Sequence, residues 1–322
     1  MEFMANQKKK NAIKKIARQI GVMPGLIIVS LTLLSGCQNV NSLLLKTQRL
    51  GLPENGTTSL ALPLPQYVVG ESFTFSDNRK QTVVEIQSDK VIWKTNNGVV
   101  RTTYRNPFIP YLDWKSKYSI ATSESDADNT MLWPPIPGKI EYFKFNRTIQ
   151  QADNPNSKSY SQIWECKSLG EKEITTPAGA FNTIHVDCTR YYPTKLNTRQ
   201  VRSFYYSPEL GYYASRVDKY KSGARKEINI TKHEFDTSIL SDEGKQALGK
   251  IVQSLLENGK SGQQKMWVNV SRDMKVAIQV DERTTVDGKI CRDYKGVFFV
   301  EGRNMTNNRK ACRHDSGLWI QA

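Results

Sequence analysis

Between residues 67 and 236 the chain is a succession of short β-branched and aromatic runs separated by turn residues, with no amphipathic helix between them. Ten such runs can be marked, at 71–75, 82–86, 91–94, 99–104, 142–145, 161–168, 180–191, 201–206, 212–220 and 226–233. Asn96-Asn97-Gly98 separates two of them and is a hairpin-turn signal. Many short strands at close spacing predict a mostly β architecture, either a β-sandwich or an open barrel. After residue 236 the pattern changes. Ser241-Asp242-Glu243 can cap a helix whose apolar positions Ala247, Leu248, Ile251, Val252, Leu255 and Leu256 share one face, and Gly259 closes it. A helix is therefore expected over 242–258, followed by four strands at 265–270, 275–280, 290–300 and 310–321. One helix and a four-stranded antiparallel meander make a small α+β module.

The N-terminus reads as an export signal. Lys8, Lys9, Lys10, Lys14, Lys15 and Arg18 precede an apolar stretch ending in Leu34-Ser35-Gly36-Cys37. The apolar run, about thirteen residues from Val22, is short of the roughly 20 that an anchoring helix needs, which favours removal. The order of charge, apolar core, small residues and Cys37 resembles the bacterial lipobox. That resemblance implies a diacylglycerol thioether on Cys37 and a mature chain beginning there; with Gln38 rather than an acidic residue next, it implies delivery to the outer membrane. An uncleaved anchor and an ordinary buried cysteine are the other readings of the same residues. Two or three acyl chains on one residue hold a protein stably to a bilayer. Met4 is expected as the native start, with Met1-Glu2-Phe3 an addition. The expected organisation is a signal at 1–36, a lipid-anchored tether at 37–66 rich in Asn, Ser, Leu and Pro, a β-rich domain at 67–236 and the α+β module at 237–322. Leu43-Leu44-Leu45 in the tether could lie against the membrane or a neighbour.

Setting Cys37 aside leaves Cys166, Cys188, Cys291 and Cys312. An even set in an exported protein predicts disulfides. Of three possible connectivities, the local one, Cys166–Cys188 with Cys291–Cys312, is expected, because a bridge between the couples would join two regions that read as separate domains. Each closes a loop of roughly twenty residues, worth about 3 kcal/mol in the chain-entropy model. No Cys-x-x-Cys occurs and the histidines are only His185, His233 and His314, so no metal site and no cofactor beyond the lipid on Cys37 is expected.

Lys and Arg number 46 against 31 Asp and Glu, a formal charge of +15, and six of the basic residues fall in the signal. A positive body at a membrane could meet anionic envelope groups or an acidic protein. The basic residues are scattered and interleaved with acids, which predicts a solvated, mildly basic surface and no nucleic-acid partner.

Trp164-Glu165-Cys166, Thr176-Pro177-Ala178-Gly179-Ala180 and Ser207-Pro208-Glu209-Leu210-Gly211 resemble, in order, a β-domain common among uncharacterised exported bacterial proteins. That likeness implies architecture alone. Trp267-Val268-Asn269, Cys291-Arg292-Asp293-Tyr294 and Cys312-Arg313-His314-Asp315-Ser316-Gly317-Leu318-Trp319 resemble the C-terminal domain of rickettsial-type surface antigen lipoproteins. The match covers the last eighty or so residues and implies an envelope component attached to the outer membrane. The glycine-zipper segment usual in that family is absent, and Asn307-Asn308-Arg309-Lys310 replaces a small-residue stretch.

His185-Val186-Asp187 and His314-Asp315-Ser316 gather triad residue types, but triad members must converge from separate elements, and no nucleophile elbow, phosphate loop or dinucleotide fingerprint occurs. No enzyme is expected. Arg292 and Arg313, each following a cysteine, are candidates for a shared anion site, for orienting a turn, or for ion pairs with Asp293 and Asp315. Two functions compete, of which the first is the expected one and the second the alternative. One is an envelope protein acting through contacts with other envelope proteins or further copies of itself, as subunit or stabiliser of an assembly. The other is a binding module for an apolar or anionic envelope ligand, with Trp93, Trp114, Trp133, Tyr205 and Tyr206 lining a cleft. An enclosed cavity favours the second and an exposed apolar edge the first.

Overall fold

The computed structural model describes residues 62–191, 193, 197–270 and 273–322. The expected signal, Cys37 and most of the tether lie outside the described residues. From residue 62 onward the chain belongs to one compact unit, Ser59–Ala322.

Twelve antiparallel strands form a closed barrel: β1 (Glu71–Phe75), β2 (Lys80–Ile86), β3 (Lys90–Thr95), β4 (Val100–Tyr104), β5 (Asp113–Lys115), β6 (Ser119–Ser125), β7 (Ile140–Gln151), β8 (Ser157–Thr176), β9 (Gly179–Tyr191), β10 (Thr198–Ser207), β11 (Tyr212–Tyr220) and β12 (Arg225–Phe235). Each strand pairs with its neighbour in sequence, and β1 closes the ring on β12 with Glu71 opposite Phe235. The barrel expectation therefore holds over the sandwich, and closure leaves no edge. All ten marked runs are strands; β5 and β6 are additional. The turns follow their residues. Gly98, Gly179 and Gly211 take positive φ at the hairpins they close. At Gly70 (φ +97°) a Cβ would stand 2.6 Å from both Ile239 Cδ1 and Phe235 Cε2, so the chain enters β1 there only without a side chain.

The barrel is filled rather than hollow for most of its length. Alternate residues point inward, and Phe73, Trp93, Phe143, Trp164, Phe204 and Tyr206 are among those that form the core. Outward positions on β8 include Ser161, Glu165 and Lys167. The Cys166–Cys188 bond joins directly opposed residues of β8 and β9.

A short 3₁₀ turn leads into α1 (Asp242–Asn258) and the sheet β13 (Gln264–Asn269), β14 (Met274–Val286), β15 (Lys289–Val300), β16 (Arg303–Arg313) and β17 (Trp319–Gln321), in that spatial order. The helix occupies the predicted span. Ser241 Oγ accepts from Gly244 N at 3.2 Å as its N-cap. Gly259 at its C-cap has φ −70°, so it is not there for a left-handed turn; a Cβ would lie 2.5 Å from the Leu255 carbonyl oxygen. The sheet has five strands rather than four. The run expected at 310–321 breaks where Gly317 (φ +81°) and the His314–Leu318 turn reverse the chain. Cys291 and Cys312 are bonded across opposed positions of β15 and β16.

β16 docks on the barrel. Asn307 Oδ1 accepts from Phe235 N at 2.9 Å while its Nδ2 donates to Phe235 O at 2.8 Å. Arg309 pairs with Glu234 at 2.6 Å, Phe298 stacks on Phe235 at 4.9 Å, and Arg303 reaches buried Glu71 and donates to Leu210 O at 2.8 Å. The polar stretch that departs from the surface-antigen pattern is thus the seam between sheet and barrel.

Candidate functional site

The basic residues are not all surface. Arg79, Arg101, Arg147, Arg190, Arg202 and Arg216 line one cavity of about 250 Å³ inside the barrel, with no Lys, Asp or Glu in its lining. Strand parity brings them there. Arg147 shares the inward face of β7 with Phe143 and Phe145, Arg190 that of β9 with Val186 and Cys188, and Arg202 that of β10 with Phe204 and Tyr206. On the Tyr206 side, the β10–β11 turn meets Arg303 of the C-terminal sheet; the arginines lie further along the strands, away from that turn.

The β4–β5 connection closes over the cavity. Asn106 fixes it, donating through Nδ2 to Met131 O at 2.6 Å and accepting from Phe108 N at 3.0 Å. Pro107 and Pro110 in this segment bring no N–H to be left unpaired in the interior. Phe108, Ile109 and Leu112 are buried, and Tyr111 faces the arginines. Its hydroxyl accepts from Arg101 Nη1 at 3.3 Å, and its carbonyl accepts from Arg147.

Each guanidinium stands over an aromatic ring: Arg79 on Phe75 (4.8 Å to the centroid), Arg101 on Tyr111 (4.6 Å), Arg147 on Trp114 (4.7 Å), Arg190 and Arg202 on Trp164 (5.6 and 5.5 Å) and Arg216 on Tyr213 (5.5 Å). Stacking offsets part of the lost hydration and holds the plane of each group. Counter-charge is scarce. Asp218 alone serves two of them, Arg202 Nε at 2.6 Å and Arg216 Nη2 at 3.1 Å, and also accepts from Gln200 at 2.6 Å. Asp77 touches Arg79 only at 3.9 Å. No carboxylate lies within ion-pair distance of Arg101, Arg147 or Arg190 among the described residues. Arg79 Nε and Nη2, Arg190 Nε and Arg216 Nε are buried donors without an acceptor.

Titration divides the six: at Arg79 and Arg216 burial is outweighed by the neighbouring Tyr213 and Tyr111 phenols and the guanidinium is shifted up, whereas Arg147 and Arg190 show crowding. Burial, with the charges of Arg202 and Arg190, pushes Arg147 down to about 10; burial, with Arg199 and Arg202, does the same to Arg190. Burial works to raise the Tyr111 phenol, but Arg101, Arg79, Arg216 and Arg202 outweigh it and bring it down to about 7. Asp218 is likewise held below the usual carboxylate range: burial opposes this and the two paired arginines prevail. The site offers cations and N–H donors in excess.

The residues expected to form a site fall elsewhere. Arg292 and Arg313 do not bind an anion together. Arg292 is 2% exposed, and its Nη1 donates to the carbonyls of Leu255, Leu256 and Gly259 while Nε and Nη2 donate to that of Asp281. It caps the C-terminus of α1 instead of pairing with Asp293. Arg313 pairs with Glu257, not Asp315. Of the five aromatics expected to line a cleft, none lines this cavity. Trp93, Trp133 and Tyr206 belong to the core, Tyr205 is on the opposite face of β10 stacked on His185, and Trp114 carries Arg147. His185 pairs with Asp187 at 3.0 Å, and His314 Nδ1 meets Ser316 Oγ at 3.1 Å within its own turn. Among the described residues no three His, Cys, Asp or Glu side chains gather to hold a metal ion.

No protein-family model and no curated protein matches the chain. Among solved structures it is similar to the hypothetical lipoprotein YmcC from Escherichia coli K12 (7% identity, 51% of this chain, 88% of that one, TM-score 0.36). It is also similar to an exported protein with YmcC-like fold from Bacteroides fragilis (12%, 52% and 96%, TM-score 0.29). A third is a β-barrel-like protein of a domain of unknown function from Brucella abortus (8%, 79% and 94%, TM-score 0.17). At TM-scores this low the likenesses decide nothing about this chain. With no family model matching, the surface-antigen resemblance rests on the Cys-Arg and Trp motifs.

Proposed function

We propose that the chain is a non-enzymatic binding protein of the cell envelope, held at the outer membrane by lipid on Cys37, whose barrel receives an anionic ligand. The observation that carries this reading is the cavity lined by six arginines with a single internal carboxylate, Asp218, beside it. Natural folds pair or neutralise buried charge; one that gathers uncompensated guanidiniums spends stability on something other than folding. The lipobox resemblance and the two disulfides support the exported setting.

The test is thermal unfolding across a panel of anions at low ionic strength. Because a ligand that binds only the folded state stabilises it, a matching anion raises Tm by several degrees, and the double variant Arg147→Gln/Arg190→Gln does not respond. Indifference of the wild-type protein to every anion contradicts the reading.

A second reading, assembly through protein contacts, is favoured by one feature. Met266 and Val268 on the edge strand β13 are 63% and 48% exposed, and Phe299, two strands across, is 40% exposed. Chemical cross-linking of Met266→Lys and wild-type protein in membranes separates the two: loss of a defined adduct in the variant supports an interface there.

A further inference from the structure

Resting on the anion-binding reading, we infer that the cage is shaped for a compact phosphoryl group, a phosphomonoester or diphosphate, rather than for a carboxylate.

Direction comes first. The six guanidiniums enter from the turn before β2 and from β4, β7, β9, β10 and β11, so they approach the cavity from around the wall. A carboxylate is planar and is matched by one or two forks in its own plane, whereas a phosphoryl group has oxygens on all sides and accepts donors from every direction. A cage of this kind has more arms than a carboxylate has acceptor positions.

Charge points the same way. Asp218 is shared by Arg202 and Arg216, Asp77 only grazes Arg79, and Arg101, Arg147 and Arg190 have no carboxylate partner among the described residues. A single negative charge would leave most of this excess standing. A phosphomonoester brings about −1.5 to −2 at neutral pH and a diphosphate more. Against burial, the same field brings the Tyr111 phenol, beside Arg101, down to about 7.

Residue choice adds a third line. Every charged lining residue is Arg and none is Lys. Arginine provides a rigid planar fork suited to phosphate, and here each plane is set by the ring beneath it, which leaves the N–H edges free to aim. Arg79, Arg190 and Arg216 keep buried donors unspent. The volume, about 250 Å³, is below that of pockets for drug-sized molecules and suits a phosphoryl group with a small body attached.

The phosphoryl group could belong to a free small molecule or to a lipid headgroup, and the experiment separates these. The processed full chain in mild detergent is titrated by calorimetry, at low ionic strength, with inorganic pyrophosphate, a short-chain phosphatidic acid and citrate. Expected is binding of at least one phosphoryl compound, about tenfold or more tighter than citrate. Response to pyrophosphate assigns a free ligand; response to phosphatidic acid alone assigns a headgroup. Either supports the inference. Arg190→Lys, which keeps charge but removes the fork, weakens binding about tenfold, whereas Arg225→Gln on the exterior leaves it unchanged. Circular dichroism of each variant establishes that it is folded; should Arg190→Lys fail to fold, Arg147→Lys serves in its place. Citrate binding as tightly as the phosphoryl compounds overturns the phosphoryl inference while leaving an anion site. If neither class binds, the anion-binding reading falls as well.

Discussion

Arginine leaves the surface in both halves of this molecule, fully at Arg292 and Arg216 and halfway at the other five barrel positions, with opposite accounting. In the C-terminal sheet Arg292 reaches four backbone carbonyls, Leu255, Leu256, Gly259 and Asp281, and so satisfies the end of α1. In the barrel six arginines converge, one carboxylate serves two of them, and several donors have no acceptor. The first arrangement is complete within the chain. The second is complete only with something added. What separates a structural from a functional buried cation is therefore whether its donors are spent, which burial alone does not reveal.

Substitution should expose that contrast, and the largest effect belongs to the satisfied group. Arg292→Leu orphans the last carbonyls of α1 and is expected to cost about 3 kcal/mol or more in denaturant unfolding. Were it near neutral, Arg292 would not be the cap described here. Next come the disulfides. Cys166–Cys188 and Cys291–Cys312 span sequence separations of 22 and 21, so replacing either pair by Ala should cost a similar amount, about 3 kcal/mol. A large difference between them would show that one half is rigid without its bond.

The cage should behave the other way. Arg190→Gln relieves crowding and is expected to raise the stability of the free protein by about 1 kcal/mol, read as a rise in Tm, while anion binding weakens. A comparable but acid-dependent effect comes from Asp236, whose pKa is about 2 against 3.8 unperturbed. Burial opposes this shift, and hydrogen bonds from Ser238 and the Lys80 ammonium produce it. A carboxyl depressed in the folded state contributes fully above about pH 4 and loses that contribution as pH falls toward 2; after solvent screening it amounts to about 1 kcal/mol. Asp236→Asn should flatten stability in that window. The last effect, at Tyr111, is read spectroscopically. Ultraviolet titration should find one phenol ionising near pH 7, absent in Tyr111→Phe, and its depressed pKa adds stability as pH rises from about 7 to 10.

Much of this was legible in local pattern. β-Branched and aromatic runs between turn residues marked the long strands, Ser241 and the i, i+4 apolar stripe marked α1, and the cysteine couples marked bonds now seen across opposed strand positions. β5 and β6 escaped because Asp113-Trp114-Lys115 is too short, and Ser119–Ser125 too polar, to show a buried face. Closure escaped because Glu71 and Phe235 are far apart in sequence, and no local feature pairs them. The cage was present in the sequence in a form that charge counting hides. Arg147, Arg190 and Arg202 keep step with Phe145, Cys188 and Phe204, and reading parity before charge would have placed them inside. The expected aromatic cleft failed by the same rule, since Tyr205 is out of step with Phe204 and Tyr206.

The most direct test of the central claim is the melting temperature of wild type and Arg190→Gln, each with and without pyrophosphate at low ionic strength. An anion cage predicts that the substitution raises Tm in buffer and diminishes the rise that pyrophosphate gives the wild-type protein. A substitution that lowers Tm in buffer and leaves the pyrophosphate response intact would show Arg190 to be a structural residue, and contradict the cage.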